Sequence, residues 1–407
     1  MNRLLSLALL MTLLLAQPGV GQAASTEELE RRLDLITAEL QKMKNETAVT
    51  DQAYSSDYGL GPAASKVYKL SKGLSIGGYG EAKYTNYVQD QGSNVDTADM
   101  VRLILYTGYK FTDKILLNSE IEFEHGKVEG GKDGGEVAIE FANIDFLLDE
   151  KVNLRAGLML MPVGITNELH EPTLFHGNDR PLVERQVIPA TWRELGVGAF
   201  GQISEGLEYK LYLVNSLDAS GFDSKGIRGG RESGSKAKAE DFSLVARFDY
   251  EPTLGLNLGG SAYLGNAGQG QEFNGKQVDV FTQIYEVHGQ YKVRGLELKA
   301  LASRVEIDDT EQLNGVPERV AGWYSEVAYD LLPHIVTGTS QYLAPFVRYE
   351  NIDYAGSNQD VELLVSGLSY KPIPNVVVKA DYRNFNNFGT GKADAADEVN
   401  LGIGFIF

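Results

Sequence analysis

VRLILYTGYKF (Val101–Phe111) and ILLNSEIEFE (Ile115–Glu124) set the rhythm that decides the fold. In the first, Val101, Leu103, Leu105, Thr107, Tyr109 and Phe111 alternate with Arg102, Ile104, Tyr106, Gly108 and Lys110. In the second, Ile115, Leu117, Ser119, Ile121 and Phe123 alternate with Asn118, Glu120, Glu122 and Glu124. A two-residue period puts one set on each face of a strand, so each segment has one apolar face. The pattern recurs at Val152–Leu160, Leu207–Leu213, Phe242–Tyr250, Leu256–Leu264, Leu296–Ala302, Val376–Tyr382 and Val399–Phe407, and weaker cases bring the total to sixteen segments.

The connections between segments say more. Thr112-Asp113, Glu150, Glu205-Gly206, Pro252-Thr253, Arg294, Pro333-His334 and Pro372-Ile373-Pro374 read as tight turns. Between them lie long polar excursions at Gln89–Ala98, His125–Gly135, Val163–Thr191, Asp218–Glu240, Asn266–Gln277, Asp308–Arg319 and Asn386–Ala396, with a short one near Ala355–Gln359. Short and long alternate, as they do when all turns face one compartment and all loops the other. A soluble sandwich would bury its apolar faces in strands of about 5–6 residues and would show no rule of loop length. These segments are longer, near the ~9–11 residues that cross a bilayer at a tilt. In hydrocarbon every backbone polar group must be paired within the protein, which leaves a closed barrel as the sheet solution. The expected fold is therefore all-β, a transmembrane antiparallel β-barrel of sixteen strands over residues 73–407. The alternating stripe Val399, Leu401, Ile403, Phe405 and Phe407 resembles the terminal signal of bacterial outer-membrane barrels.

Upstream, Met1-Asn2-Arg3 followed by the Leu-rich run Leu4–Ala16 and the small residues Gly21-Gln22-Ala23 reads as a signal peptide over residues 1–23. The run is shorter than the roughly 20 residues a spanning helix needs. Between Thr26 and Glu46, Leu29, Leu33, Ile36, Leu40 and Met43 recur at spacings of four and three with charged flanks, which predicts a coiled-coil helix over residues 26–46. Residues 47–72, rich in Ala, Ser, Gly and Asp, read as a linker. If the first strand starts at the inner face, the helix is periplasmic.

Composition narrows the function. There is no Cys among the 407 residues, which excludes disulfide scaffolds, thiol chemistry and covalently attached c-type haem. A net charge of -19 argues against a nucleic-acid partner. His170 and His176 are six residues apart with Pro172 between them, unlike helical metal ligands at i and i+4, and no Ser–His motif stands out, so neither an enzyme nor a metal or other cofactor is expected. Barrels of this strand number leave an aqueous channel. The inward positions would then carry charge, with Glu120, Glu122, Glu124, Glu140 and Arg155 on the pore wall, joined by Lys210, Arg247, Asp249, Lys379, Asp381 and Arg383. The excursion Val163–Thr191 holds Glu168, Glu171, Asp179, Arg180, Glu184 and Arg185, with Arg193 just beyond, and its prolines restrict the backbone. An ordered, charged loop of this length folded into the lumen would form the constriction.

The run Arg155-Ala-Gly157 through Pro162-Val-Gly164, Glu168, Glu184-Arg185, Pro189, Arg193-Glu-Leu-Gly196, Gly198 and Gly201 resembles the third-loop region of the phosphate-selective porin O/P family, as does Gly77-Gly-Tyr79-Gly-Glu81. The resemblance implies a homotrimeric outer-membrane channel of a Gram-negative bacterium whose third loop enters the pore. It would set Arg180, Arg185 and Arg193 against Glu168, Glu171, Asp179 and Glu184. The family's concentration of lumenal Arg and Lys has no counterpart here, so the expected pore is a passive one for small polar or ionic solutes, general or weakly cation-preferring. Two other readings remain: a sleeve for a partner such as an electron-transfer cytochrome, and a structural link to the envelope through the helix at 26–46.

Overall fold

The computed structural model describes Arg32 and residues 56–88, 94–127, 134–355, 360–386 and 396–407. The expected signal peptide and coiled coil lie outside the described residues, apart from Arg32, which is helical. Sixteen strands close into one antiparallel barrel: β1 (Gly73–Tyr87), β2 (Thr97–Thr112), β3 (Ile115–Glu124), β4 (Val137–Leu147), β5 (Asn153–Leu160), β6 (Arg193–Ser204), β7 (Leu207–Asn215), β8 (Phe242–Thr253), β9 (Leu256–Asn266), β12 (Phe281–Val293), β13 (Leu296–Ile307), β14 (Arg319–Tyr329), β15 (Tyr342–Tyr354), β16 (Val361–Ile373), β17 (Val376–Asn386) and β18 (Glu398–Ile406). The two remaining strands, β10 (Glu272–Phe273) and β11 (Lys276–Gln277), form a separate hairpin in the loop after β9.

The two-residue period decides which face of each strand meets which environment. On β2, Arg102, Ile104, Tyr106 and Lys110 are buried inside the barrel, whereas Leu103 and Tyr109 are 43% and 40% exposed on its outside. The stripe Leu401, Ile403 and Phe407 likewise faces out. Fully buried charges inside and a belt of exposed Leu, Val and aromatic residues outside invert the arrangement of a water-soluble domain and match a wall set in hydrocarbon. The barrel closes between its first and last strands in the register Tyr79↔Ile406 to Tyr87↔Glu398. On the lumenal side of that seam, the buried Thr85 Oγ1 donates to Asn400 Oδ1 at 2.7 Å.

Tight turns and long loops alternate as expected, with one difference. Pro333-His334 is not a tight turn but part of a longer connection between β14 and β15 that contains a short helix, Leu332–Ile335. Pro333 stands at the start of that helix, where its missing N–H costs no hydrogen bond.

The lumen is occupied by two segments of the chain. The loop between β5 and β6, residues 161–192, folds inward and includes a one-turn helix, Leu182–Gln186. Its Val163, Ile165, Val183, Val187 and Ile188 pack into an apolar cluster with inward residues of β7 to β15 such as Tyr212, Val245, Ile284 and Val305. Gly322 on β14 admits the helix, since a Cβ there would lie 3.0 Å from Val187 and 3.2 Å from Val183. The second segment is residues 56–72, the described part of the stretch read as a linker over 47–72. Leu60, Ala63 and Ala64 are buried against Tyr79, Ile104, Tyr106 and Phe141, and a short helix, Lys66–Lys69, follows. Small residues carry no apolar period to read, but the same smallness lets a chain enter a crowded barrel.

Leu211 sits midway along β7 and is 45% exposed on the outer wall. Leu211→Arg is expected to destabilise the barrel by about 2–4 kcal/mol, the cost of a cation near the bilayer midplane, and Leu211→Phe by less than about 1 kcal/mol. Urea unfolding in lipid vesicles measures both.

Candidate pore and constriction

A loop placed inside a barrel must satisfy its peptide groups without bulk water. Charged side chains of the wall do much of this. Asp381 Oδ2 accepts from the backbone N–H of Asn178 (2.7 Å), and Glu350 Oε2 from that of Val183 (3.0 Å). Lys371 Nζ donates to the carbonyl of Thr173 (2.8 Å), Arg348 to those of His176 (3.1 Å) and Asp179 (3.2 Å), and Arg247 to that of Gly164. From the next long loop, Arg228 donates to the carbonyls of Arg185 and Ala190, and Arg231 to those of Pro189 (3.1 Å) and Thr191 (2.6 Å).

The residues expected at the constriction separate into several groups. Glu184 is fully buried and turned away from the lumen's open space, accepting from the N–H groups of Ile165 (2.8 Å) and Thr166 (2.5 Å) and from the Tyr324 hydroxyl (2.7 Å). Glu171 holds the inner segment, accepting from the N–H groups of Ala63 (2.9 Å) and Ala64 (3.3 Å). Burial pushes its carboxyl up to about 7, even though those two N–H groups pull it back. Glu168 pairs with Lys210 on β7 (2.5 Å). Asp179 lies among Lys83 (3.0 Å), Arg383 (3.2 Å) and Arg185 (3.9 Å). Burial raises its carboxyl, but Arg383, Lys83 and Arg185 more than reverse this and hold it well below the usual carboxylate range. Arg180 Nη1 is buried without a hydrogen-bond partner, and burial, with Arg102 nearby, pushes that guanidinium down. Arg185 keeps 38% of its side chain exposed.

On the wall, Glu120, Glu122 and Glu140 are buried and Glu124 is half-buried toward the rim. Arg193 reaches Glu140 at 3.4 Å, and Arg102 reaches Glu81 at 2.6 Å and Glu122 at 3.8 Å. Arg155 belongs to a different group. It makes two bonds to Asp145 (2.8 and 2.9 Å) and donates to the Tyr68 hydroxyl (3.0 Å), tying the inner segment to β4 and β5. Lys83, Arg348, Glu326 and Glu350 were not singled out in the sequence, although each has lumenal parity on its strand. Acids stand beside bases over much of the lumen, while Glu120, Glu140, Arg180 and Lys379 each keep a buried polar atom without a hydrogen-bond partner. Space remains at the turn end, where a cavity of about 220 Å³ is lined by Glu251, Asn257, Lys292, Glu297, Lys299 and Glu326.

A protein of Aquifex aeolicus (strain VF5), described as an uncharacterized protein, is 37% identical over 360 residues, covering 82% of this chain and 80% of its own. This chain belongs to its family. No protein-family model matches the chain. Among solved structures, the chain resembles OmpF of Salmonella typhi in complex with daunomycin (TM-score 0.56, 12% identity, 83% of this chain and 98% of that one). It also resembles an anion-selective porin from Comamonas acidovorans (TM-score 0.53, 12% identity, 82% and 99%) and the outer-membrane channel DcaP of Acinetobacter baumannii (TM-score 0.53, 15% identity, 82% and 97%). At these identities the likeness is one of fold, and it is shared by the sixteen-stranded barrel of this chain.

Because Asp179 is held below its unfolded value, its contribution to stability is present above about pH 4 and is lost as the pH falls from there toward the folded value. Asp179→Asn leaves Lys83 and Arg185 without their carboxylate, while Arg383 keeps Glu398 at 2.8 Å, and is expected to cost roughly 3 kcal/mol at pH 7, with the difference from wild type narrowing only below about pH 4. Urea unfolding at pH 7 and pH 3 measures it.

Proposed function

We propose that the protein is a passive diffusion channel of the outer membrane for small polar or ionic solutes, narrowed by loop 161–192. The observation that carries this reading is the inverted wall: a closed barrel, apolar outside and charged inside, with an ordered loop drawn into its lumen. The field in such a pore is set by cations or anions that are not matched by a neighbour. Arg180, with an unpartnered nitrogen, and Arg185, held only at 3.9 Å from Asp179 and partly exposed, are the residues of the expected constriction that come nearest this role, together with Glu168, Glu171, Asp179, Glu184 and Arg193 as its fixed frame. Since most lumenal acids are paired with bases, the ion preference should be weak. That argues against the phosphate selectivity implied by the resemblance to the O/P porins.

Trimeric assembly is part of the proposal, supported by the fold neighbour OmpT of Vibrio cholerae, which is described in a trimer form. The solute passes beside loop 161–192, through the space lined by Leu174, Lys292, Lys299 and Glu297. A sleeve for a threaded cytochrome fits less well, because residues 56–72 and 161–192 take up the space a partner would need. An envelope link through residues 26–46 rests on a segment outside the described residues.

Planar-bilayer recording tests the reading. The folded protein should give discrete conductance steps and a small reversal potential under a KCl gradient. Replacing both Arg180 and Arg185 with Ala should move that potential toward cation preference, and deleting residues 56–69 should raise the single-channel conductance at least about twofold. A protein that inserts without conducting would remove the proposal, and an unmoved reversal potential would remove the placement of the constriction.

A further inference from the structure

His170 on the lumenal loop meets Glu120 of β3 and Glu140 of β4, and one ligand atom from each of the three lies within 4.8 Å of the others. All three side chains are buried. His170 Nδ1 lies 2.9 Å from the carbonyl oxygen of Asn167. A carbonyl oxygen only accepts, so Nδ1 carries the proton and Nε2 is the atom turned toward the two carboxylates. It stands 3.2 Å from Glu120 Oε1 and 3.5 Å from Glu140 Oε2. A neutral ring in this tautomer aims a lone pair at two acceptors, which repels unless a cation sits among them. The carboxylates show the same deficit: Glu120 Oε2 and Glu140 Oε2 are both buried without a hydrogen-bond partner. Among the described residues His170 is the one potential cation paired with Glu120.

We infer that Glu120, Glu140 and His170 form a binding site for a divalent transition-metal ion of the zinc class, which clips the lumenal loop to the wall at β3 and β4. The two measured separations from Nε2 bracket the ligand-to-ligand edge of a tetrahedron with metal–ligand bonds of about 2.0–2.1 Å, an edge of about 3.3 Å. The Nδ1–H bond to Asn167 is the outer-shell contact that orients a ligating imidazole. One imidazole with two carboxylates suits zinc-class ions, whereas magnesium and calcium take oxygen-only sets. Arg193, 3.4 Å from Glu140 Oε1, offsets part of the remaining negative charge. A water molecule would complete the coordination. The inference is independent of whether the barrel conducts.

The test is Co2+ titration of the folded full-length protein in detergent, followed by visible ligand-field absorption, with Zn2+ as competitor. The expected result is saturable uptake of one Co2+ per chain, displaced by Zn2+, and a thermal midpoint that rises with Zn2+. Glu140→Gln, Glu120→Gln and His170→Gln should each weaken uptake at least about tenfold and abolish the thermal shift. His125→Gln, a change at an exposed histidine paired with Asp99, should leave both unchanged. Heat-modifiable migration on gels identifies the variants that have folded, and any one folded variant of the three suffices. No saturable uptake by wild type, a sign that a proton is the only cation held there, would overturn the inference. So would uptake of unchanged affinity in the folded variants.

Discussion

The structure depends on satisfying the backbone of a loop that has been taken out of bulk water. An excursion of the length of 161–192 normally runs over a surface because its peptide groups need partners. Here the partners are Asp381, Glu350, Lys371, Arg348 and Arg247, all rooted in strands and so fixed in place by the barrel. The wall charges thus act first as hydrogen-bonding groups for the loop and only second as a lining for solutes. That order explains why so many of them are buried: a charge employed in this way is paired, shielded from water and unable to follow a passing ion.

The other half of the anchoring is apolar. One sector of the inner wall, centred on Tyr212, Val245, Tyr263, Ile284 and Val305, carries hydrophobic side chains where a purely water-filled pore would carry polar ones. The loop covers this sector with Val183, Val187 and Ile188, so its inward position follows from removing those faces from water. Opposite, the inner segment repeats the solution on a smaller scale with Leu60, Ala63 and Ala64. The two meet at Glu171, which belongs to the loop and accepts the segment's N–H groups.

Much of this was legible in the residues alone. Strict alternation at Val101–Phe111 and Ile115–Glu124 determined which side chains face in, and the structure keeps that parity for Arg102, Glu120 and Glu122. The number of strands and the terminal stripe could be read for the same reason. The short connection at Pro333-His334 could not, since a proline marks a helix start as readily as a turn. The inner segment was hidden because Ala, Gly and Ser give no periodic signal. The partners of individual charges were also out of reach. Glu184 and Arg185 are neighbours in sequence, but one is sealed against Ile165 and Thr166 while the other stays partly exposed. The grouping of Glu120 and Glu140 with His170 joins two strands and a loop, and no local spacing encodes it.

The seam between β1 and β18 joins residues from opposite ends of the described barrel, Tyr79 beside Ile406 and Thr85 bonded to Asn400. Until the final strand exists, both flanking strands present rows of unpaired amides that neither lipid nor water-free interior can accept. Each intermediate lacking that strand is an open ribbon, so the cylinder can be sealed only once β18 has paired with both β17 and β1.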